Sequence, residues 1–99
     1  MYDYSRLPEG LQGGMQMYIE HGISGGGFLN AVLENDLFSA VMRADVTNLK
    51  ELPNIVRWVH NEAPPYSHGS KLKVKEWINK IREEDDMPTF NLSSDYTIN

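Results

Sequence analysis

Two short loops carry the residues best suited to chemistry. The first is Ser24-Gly25-Gly26-Gly27, which runs straight into an apolar stretch with helical spacing. A helix start presents amide N–H groups without intrahelical partners and a partial positive charge, and glycines let an anion approach them closely. The same glycines could simply turn the chain, because no Lys-Ser/Thr pair follows as in a P-loop and no strand precedes as in a dinucleotide fold. The second loop, Pro64 to Gly69, holds Tyr66, Ser67 and His68 on a backbone stiffened by two prolines. A stiff aromatic loop suits stacking on a flat ligand, since little conformational freedom is lost on binding. The alternative is a corner in which Tyr66 packs on Trp58 or Trp77.

Two further groups could act on the same kind of guest. Tyr2, Tyr4 and Arg6 lie together near the start of the chain, and a tyrosine beside an arginine can stack a ring and hold a phosphate. Lys71 opens a basic run with Lys73, Lys75, Lys80 and Arg82, read mainly as a solvated helix face with Lys71 as a candidate phosphate contact.

Catalytic and metal chemistry find less support. With no cysteine, zinc ribbons, disulfides and thiol nucleophiles are excluded. His21, His60 and His68 fall in different segments without metal-ligand spacing. Pairing His21 with Glu20, or His60 with Glu62, for acid-base work fails because such neighbours on a helix point in different directions. The reading is a binding protein, not an enzyme, with no metal and no cofactor. A formal charge of -5 argues against DNA or RNA polymers as partners, because that binding depends on neutralising many phosphates. A small anion remains compatible with an acidic chain when local donors face it. The polar opening MYDYSRLPEG has no apolar signal core, and no run nears the roughly 20 residues of a membrane span, so a cytoplasmic protein is expected.

The periodicity that must position these groups is helical. Ninety-nine residues suit one core. Leu11, Met15, Tyr18 and Ile19 predict a first helix from Pro8 to about His21, weakened by Gly13-Gly14. Phe28 to Met42 predicts a central core helix, apolar around much of its circumference. After a turn at Asp45-Val46-Thr47 with two possible N-caps, Leu49, Leu52, Val56 and Val59 predict a third helix to about Glu62, kinked or restarted at Pro53. Ser70 caps a fourth helix carrying Val74, Trp77, Ile78 and Ile81. The expected fold is all-α: a compact bundle of about four short, kinked helices over 1–82 that assembles through helical interfaces. A tail or arm over 83–99 follows.

From Tyr18 to about Trp77, three fifths of the chain resembles a family of small tailed-phage proteins that act as anti-CBASS sponges, sequestering the cyclic oligonucleotide signals of bacterial defence. The likeness rests on Tyr18-Ile19-Glu20-His21-Gly22, on Gly26-Gly27-Phe28-Leu29 with Ala31-Val32-Leu33-Glu34-Asn35-Asp36-Leu37, and on Arg43-Ala44-Asp45. Asn61-Glu62-Ala63-Pro64 and Gly69-Ser70 complete it. The resemblance implies a helical protomer in a hexamer, acting in the host bacterial cytoplasm. Cyclic di- and trinucleotides would be held in separate interface pockets and released uncleaved. It implies phosphate contacts at Ser24 and Gly25, to which the glycine-loop reading adds Gly26, with Tyr66 in the second loop, and leaves Tyr4 or Tyr18 as the aromatic that stacks a base. The family's phosphate lysine has no counterpart between Tyr18 and Arg43. The alternative from another class is a small phage inhibitor that binds a host protein through exposed aromatics.

Overall fold

Local chemistry decides where each helix of the computed structural model starts and stops; residues 2–86 are described. Asp3 accepts from the Ser5 amide at 3.0 Å and the Ser5 hydroxyl at 2.6 Å, turning the chain into a 3₁₀ turn over Tyr4–Arg6. Helix α1 (Glu9–His21) begins after Pro8 and ends at Gly22, whose φ of 65° places it in the left-handed region. The Gly22 amide donates to Tyr18 O at 3.1 Å and the Ile23 amide to Met17 O at 3.2 Å, satisfying the last carbonyls of α1. A Cβ at Gly22 would also lie 3.0 Å from Ile78 O, so conformation and packing both call for glycine there. Gly13-Gly14 leave α1 unbroken, and Gly14 faces Leu29.

The expected central helix from Phe28 to Met42 is instead two, α2 (Gly27–Leu33) and α3 (Leu37–Arg43). Asn35 stands at φ 61°, a conformation Asn tolerates better than most residues. Asp36 then caps α3 by accepting from the Ser39 amide at 3.2 Å. The break changes which side chains meet the core. Phe28, Leu29, Ala31 and Leu33 of α2 are buried, but α3 buries only Ala40. Leu37, Phe38 and Met42, expected inside, face outward, the last two 82% exposed.

Helix α4 (Val46–Glu62) starts at the first of the two expected caps, Asp45, which accepts from the Asn48 amide at 2.7 Å. It runs through Pro53 without restarting. Helix α5 (Lys71–Asp86) has the expected start, with Ser70 Oγ accepting from the Lys73 amide at 3.1 Å. It continues past the expected limit at Arg82, so the assigned tail begins as helix; 87–99 lie outside the described residues. All regular structure among the described residues is helical, in five α-helices and the one 3₁₀ turn.

The core is centred on α1. Leu11, Met15, Tyr18 and Ile19 meet α2, Ile55, Trp58 and Val59 of α4, and Val74 of α5 in one cluster. Tyr18 is the junction. Its fully buried hydroxyl donates to Ser67 O, and its own carbonyl accepts from Trp77 Nε1 at 3.3 Å. Trp58 Nε1 similarly donates to Asp3 O at 2.9 Å, pinning the start of the chain to α4.

Tyr18→Phe keeps the ring and leaves the Ser67 carbonyl buried without its donor. A loss of about 1–3 kcal/mol in unfolding free energy is expected for such a group, measurable by urea denaturation. An unchanged midpoint would show that the tie contributes nothing.

Candidate functional site

The glycine loop is held by its own helix. Asn30 Nδ2 donates to Ser24 Oγ at 2.9 Å, and the Asn30 amide donates to Gly26 O at 2.9 Å as the first helical bond of α2. Asn30 Oδ1 is buried and has no hydrogen-bond partner among the described residues. Side chains cap α3, α4 and α5, whereas α2 begins with no side-chain cap. Its first-turn amides therefore have no donor-satisfying side chain.

A cation reaches this opening from a distant position in the chain. A Cβ on Gly27 would stand 2.7 Å from Arg43 Nη1 and 3.1 Å from Arg43 Cδ, so the Arg43 side chain lies across the start of α2. The Asn35-Asp36 break makes this contact, because it folds α3 back beside α2. Sequence reading credited Ser24, Gly25 and Gly26 and missed Arg43, whose signal was its place at the end of the second half of a broken helix. Gly25 is needed for packing, since a Cβ there would sit 2.7 Å from Leu29 Cδ2, while Gly26 faces open space. Exposed Ser24 and Gly26, uncapped amides and a guanidinium together form an arrangement suited to a small anion.

The second loop sits at the other end of α2. The Gly69 amide donates to Leu33 O at 2.8 Å. Ser67 is fully buried, with its hydroxyl donating to Pro64 O at 2.7 Å. Tyr66 is 76% exposed and does not pack in a corner against Trp58 or Trp77. Lys71 is exposed nearby, and its charge adds to the Ser39 hydrogen bonds that hold the Asp36 carboxyl below its ordinary range. Seven residues of α2 separate the two loops, roughly 10 Å along the axis. The chain therefore presents Ser24–Gly26 and Tyr66 at different ends of a helix and does not join them in one pocket.

The remaining sequence candidates divide. Tyr18 is inside the core, and burial pushes its phenol well above the usual range, so its ring cannot stack on a ligand. Its apolar spacing with Leu11 and Met15 had already placed it on the core face. Tyr4 is half-buried, stacked on Trp58 with ring centroids 5.6 Å apart, and donates to Glu20 Oε2 at 2.8 Å. Burial and the Glu20 carboxylate raise its phenol too. Arg6 is exposed on the rim of a polar cleft of about 500 Å³, together with Asn54, Arg57, Trp58, Asn61 and Glu62.

An apolar groove of about 380 Å³ runs beside the second loop, lined by Ala31, Val32, Leu37, Ala40, Leu52, Val56 and Val59, with His60 and His68 at its edge. Phe38, Met42 and Val46 stand next to it in sequence and are more than four-fifths exposed. No group of three or more His, Asp or Glu gathers as a metal site among the described residues, and none of the described helices is long and apolar enough to cross a membrane. No family model matches the chain, and neither a curated protein nor a solved structure matches it.

Burial holds the His68 imidazole below its ordinary value of 6.5, helped by the charges of His60 and Lys73. A depressed native value means the unfolded chain binds this proton more readily, so the stabilisation is complete above about pH 6.5 and declines as pH falls towards the native value. Thermal melts between about pH 7.5 and 5.5 should show stability falling with acid, and His68→Gln should flatten that slope. Equal slopes in the two proteins would remove His68 from the account.

Proposed function

We propose that this protein is a phage anti-defence sponge that binds cyclic di- and trinucleotides at interfaces between copies of itself and releases them uncleaved. One observation carries the reading: Arg43 lies across Gly27 at the uncapped opening of α2, beside Ser24 and Gly26. In the resemblance to the anti-CBASS family the loop had no cation, and Arg43 fills that role from a motif that belongs to the likeness. A phosphodiester held there meets backbone amides and a guanidinium, both suited to a single negative charge.

The outer face of α3 and the first turn of α4 support the interface part. Leu37, Phe38, Val41, Met42, Val46 and Leu49 are all exposed, and so many large apolar side chains in water mark an interaction surface. The second loop borders this face, since His68 and Gly69 line the same groove as Leu37 and Ala40, so a second copy docked there meets the loop that carries the exposed Tyr66. Sequestration then needs no catalytic group. Hexamer assembly and the host cytoplasm as the place of action belong to the same reading.

Calorimetry of the full chain with cyclic dinucleotides and cyclic trinucleotides is the direct test. Arg43→Gln and Gly27→Val should each weaken binding about tenfold or more while the melting temperature holds, since the lost contact is charge-assisted and Arg43 is exposed. Absence of heat from every such nucleotide at micromolar protein ends the reading. A single host protein retained stoichiometrically from lysate, with no nucleotide binding, would favour an inhibitor acting through Tyr66 and Phe38.

Assembly has its own check. Phe38→Glu with Met42→Glu places two charges on the exposed face, and light scattering should show the oligomer reduced to monomer with the helical spectrum kept. A wild-type protein that is already monomeric would contradict the interface.

A further inference from the structure

The polar cleft between the 3₁₀ turn and α4 has no part in the reading above. Asn54, Arg57, Trp58, Asn61 and Glu62 follow the i, i+3, i+4, i+7, i+8 spacing of one helical face, so α4 supplies a continuous polar wall. Arg6 supplies the facing wall. That wall is fixed in place, because Trp58 Nε1 holds Asp3 O at 2.9 Å and the Tyr4 ring stacks on the Trp58 ring. Trp58 itself is buried and forms the floor.

Charge singles the cleft out. In a chain of net charge -5 its lining holds two guanidiniums and one carboxylate, Glu62. At the margin Glu51 accepts from Asn54 Nδ2 at 3.0 Å and Asp3 lies close to Arg6, so Arg57 is the guanidinium less engaged by a neighbouring acid. Each guanidinium offers five N–H donors and no acceptor, so the natural guest is an acceptor-rich dianion. A phosphomonoester carries nearly two negative charges at neutral pH, whereas a phosphodiester carries one. Asn54 Nδ2 is already engaged by Glu51, which leaves its Oδ1 as an acceptor; with the Asn61 carboxamide and the Glu62 carboxylate it suits ribose hydroxyls or the edge of a base. A cleft of about 500 Å³ is within the range of small-ligand sites.

We infer that this cleft binds a nucleoside monophosphate, with Arg6 and Arg57 holding its terminal phosphate. The site is separate from the Arg43 opening and selects a linear phosphate end over a cyclic diester.

Titration of the full chain with AMP, inorganic phosphate, cyclic AMP and adenosine, followed by amide chemical shifts, tests it. AMP and phosphate should shift residues 54–62, cyclic AMP should bind about tenfold more weakly than AMP, and adenosine should leave them still. Arg57→Gln should weaken AMP by about tenfold, and Arg6→Gln with Arg57→Gln should abolish saturation, while Arg43→Gln leaves AMP binding as it was. Unchanged melting temperatures would certify the fold, since both arginines are exposed. AMP binding that survives the double substitution, or no shift from AMP up to about 10 mM, would overturn the inference.

Discussion

A buried phenol that must find an acceptor organises this protein. Tyr18 sits on the core face of α1 with no exposed surface, and its hydroxyl is satisfied by the carbonyl of Ser67, far along the chain. Satisfying that one group draws the Pro64–Gly69 loop onto α1, and the Gly69 amide then closes on the last residue of α2. Trp77 completes the junction by donating to the Tyr18 carbonyl, which brings in α5. Losing any partner here would strand a polar atom inside the core, a cost larger than the net gain of an ordinary hydrogen bond. With Ser67 held inward, its neighbour Tyr66 stands out in water, available to whatever the loop meets.

A second constraint is the break at Asn35-Asp36. One left-handed residue and one aspartate cap turn a single long helix into two short ones that lie side by side. The core loses the α3 apolar residues, and the surface gains them as one exposed face. The same fold-back lays Arg43 across the glycine loop. An exposed apolar face and a guanidinium beside an uncapped helix start thus come from one local event, which is why the proposed function joins ligand capture to self-assembly. Net acidity is no obstacle to this chemistry, because the fields that matter are local and each cationic group stands beside amides or carboxamides.

Much of the fold could be read from spacing. Leu11, Met15, Tyr18 and Ile19 gave α1, and Val74, Trp77 and Ile78 behind Ser70 gave α5, because their apolar faces agree with their caps. Asp45 and Thr47 both offered a cap for α4, and the hydrogen bond from the Asn48 amide decides for Asp45. The Phe28–Met42 pattern misled for a physical reason: apolar residues on both sides of a tight break mimic one continuous helix when their second half serves a surface. In the candidate site, the place of the glycine loop at the opening of α2 was legible from residue type, whereas the exposure of Tyr66 was one of two readings its loop allowed. Arg43, Arg57 and the exposed face were not legible, since each depends on how separate helices lie against one another. Tyr18 shows the converse, an aromatic that the family resemblance offered as a stacking residue and whose periodicity said core.

Native mass spectrometry of the full chain with an equimolar mixture of cyclic di- and trinucleotides tests the central claim in one experiment. The account predicts an oligomer that carries nucleotide at a fixed ratio per protomer and yields it at its original mass after unfolding. A protomer that flies alone and empty, or a nucleotide returned in linear or broken form, would contradict it.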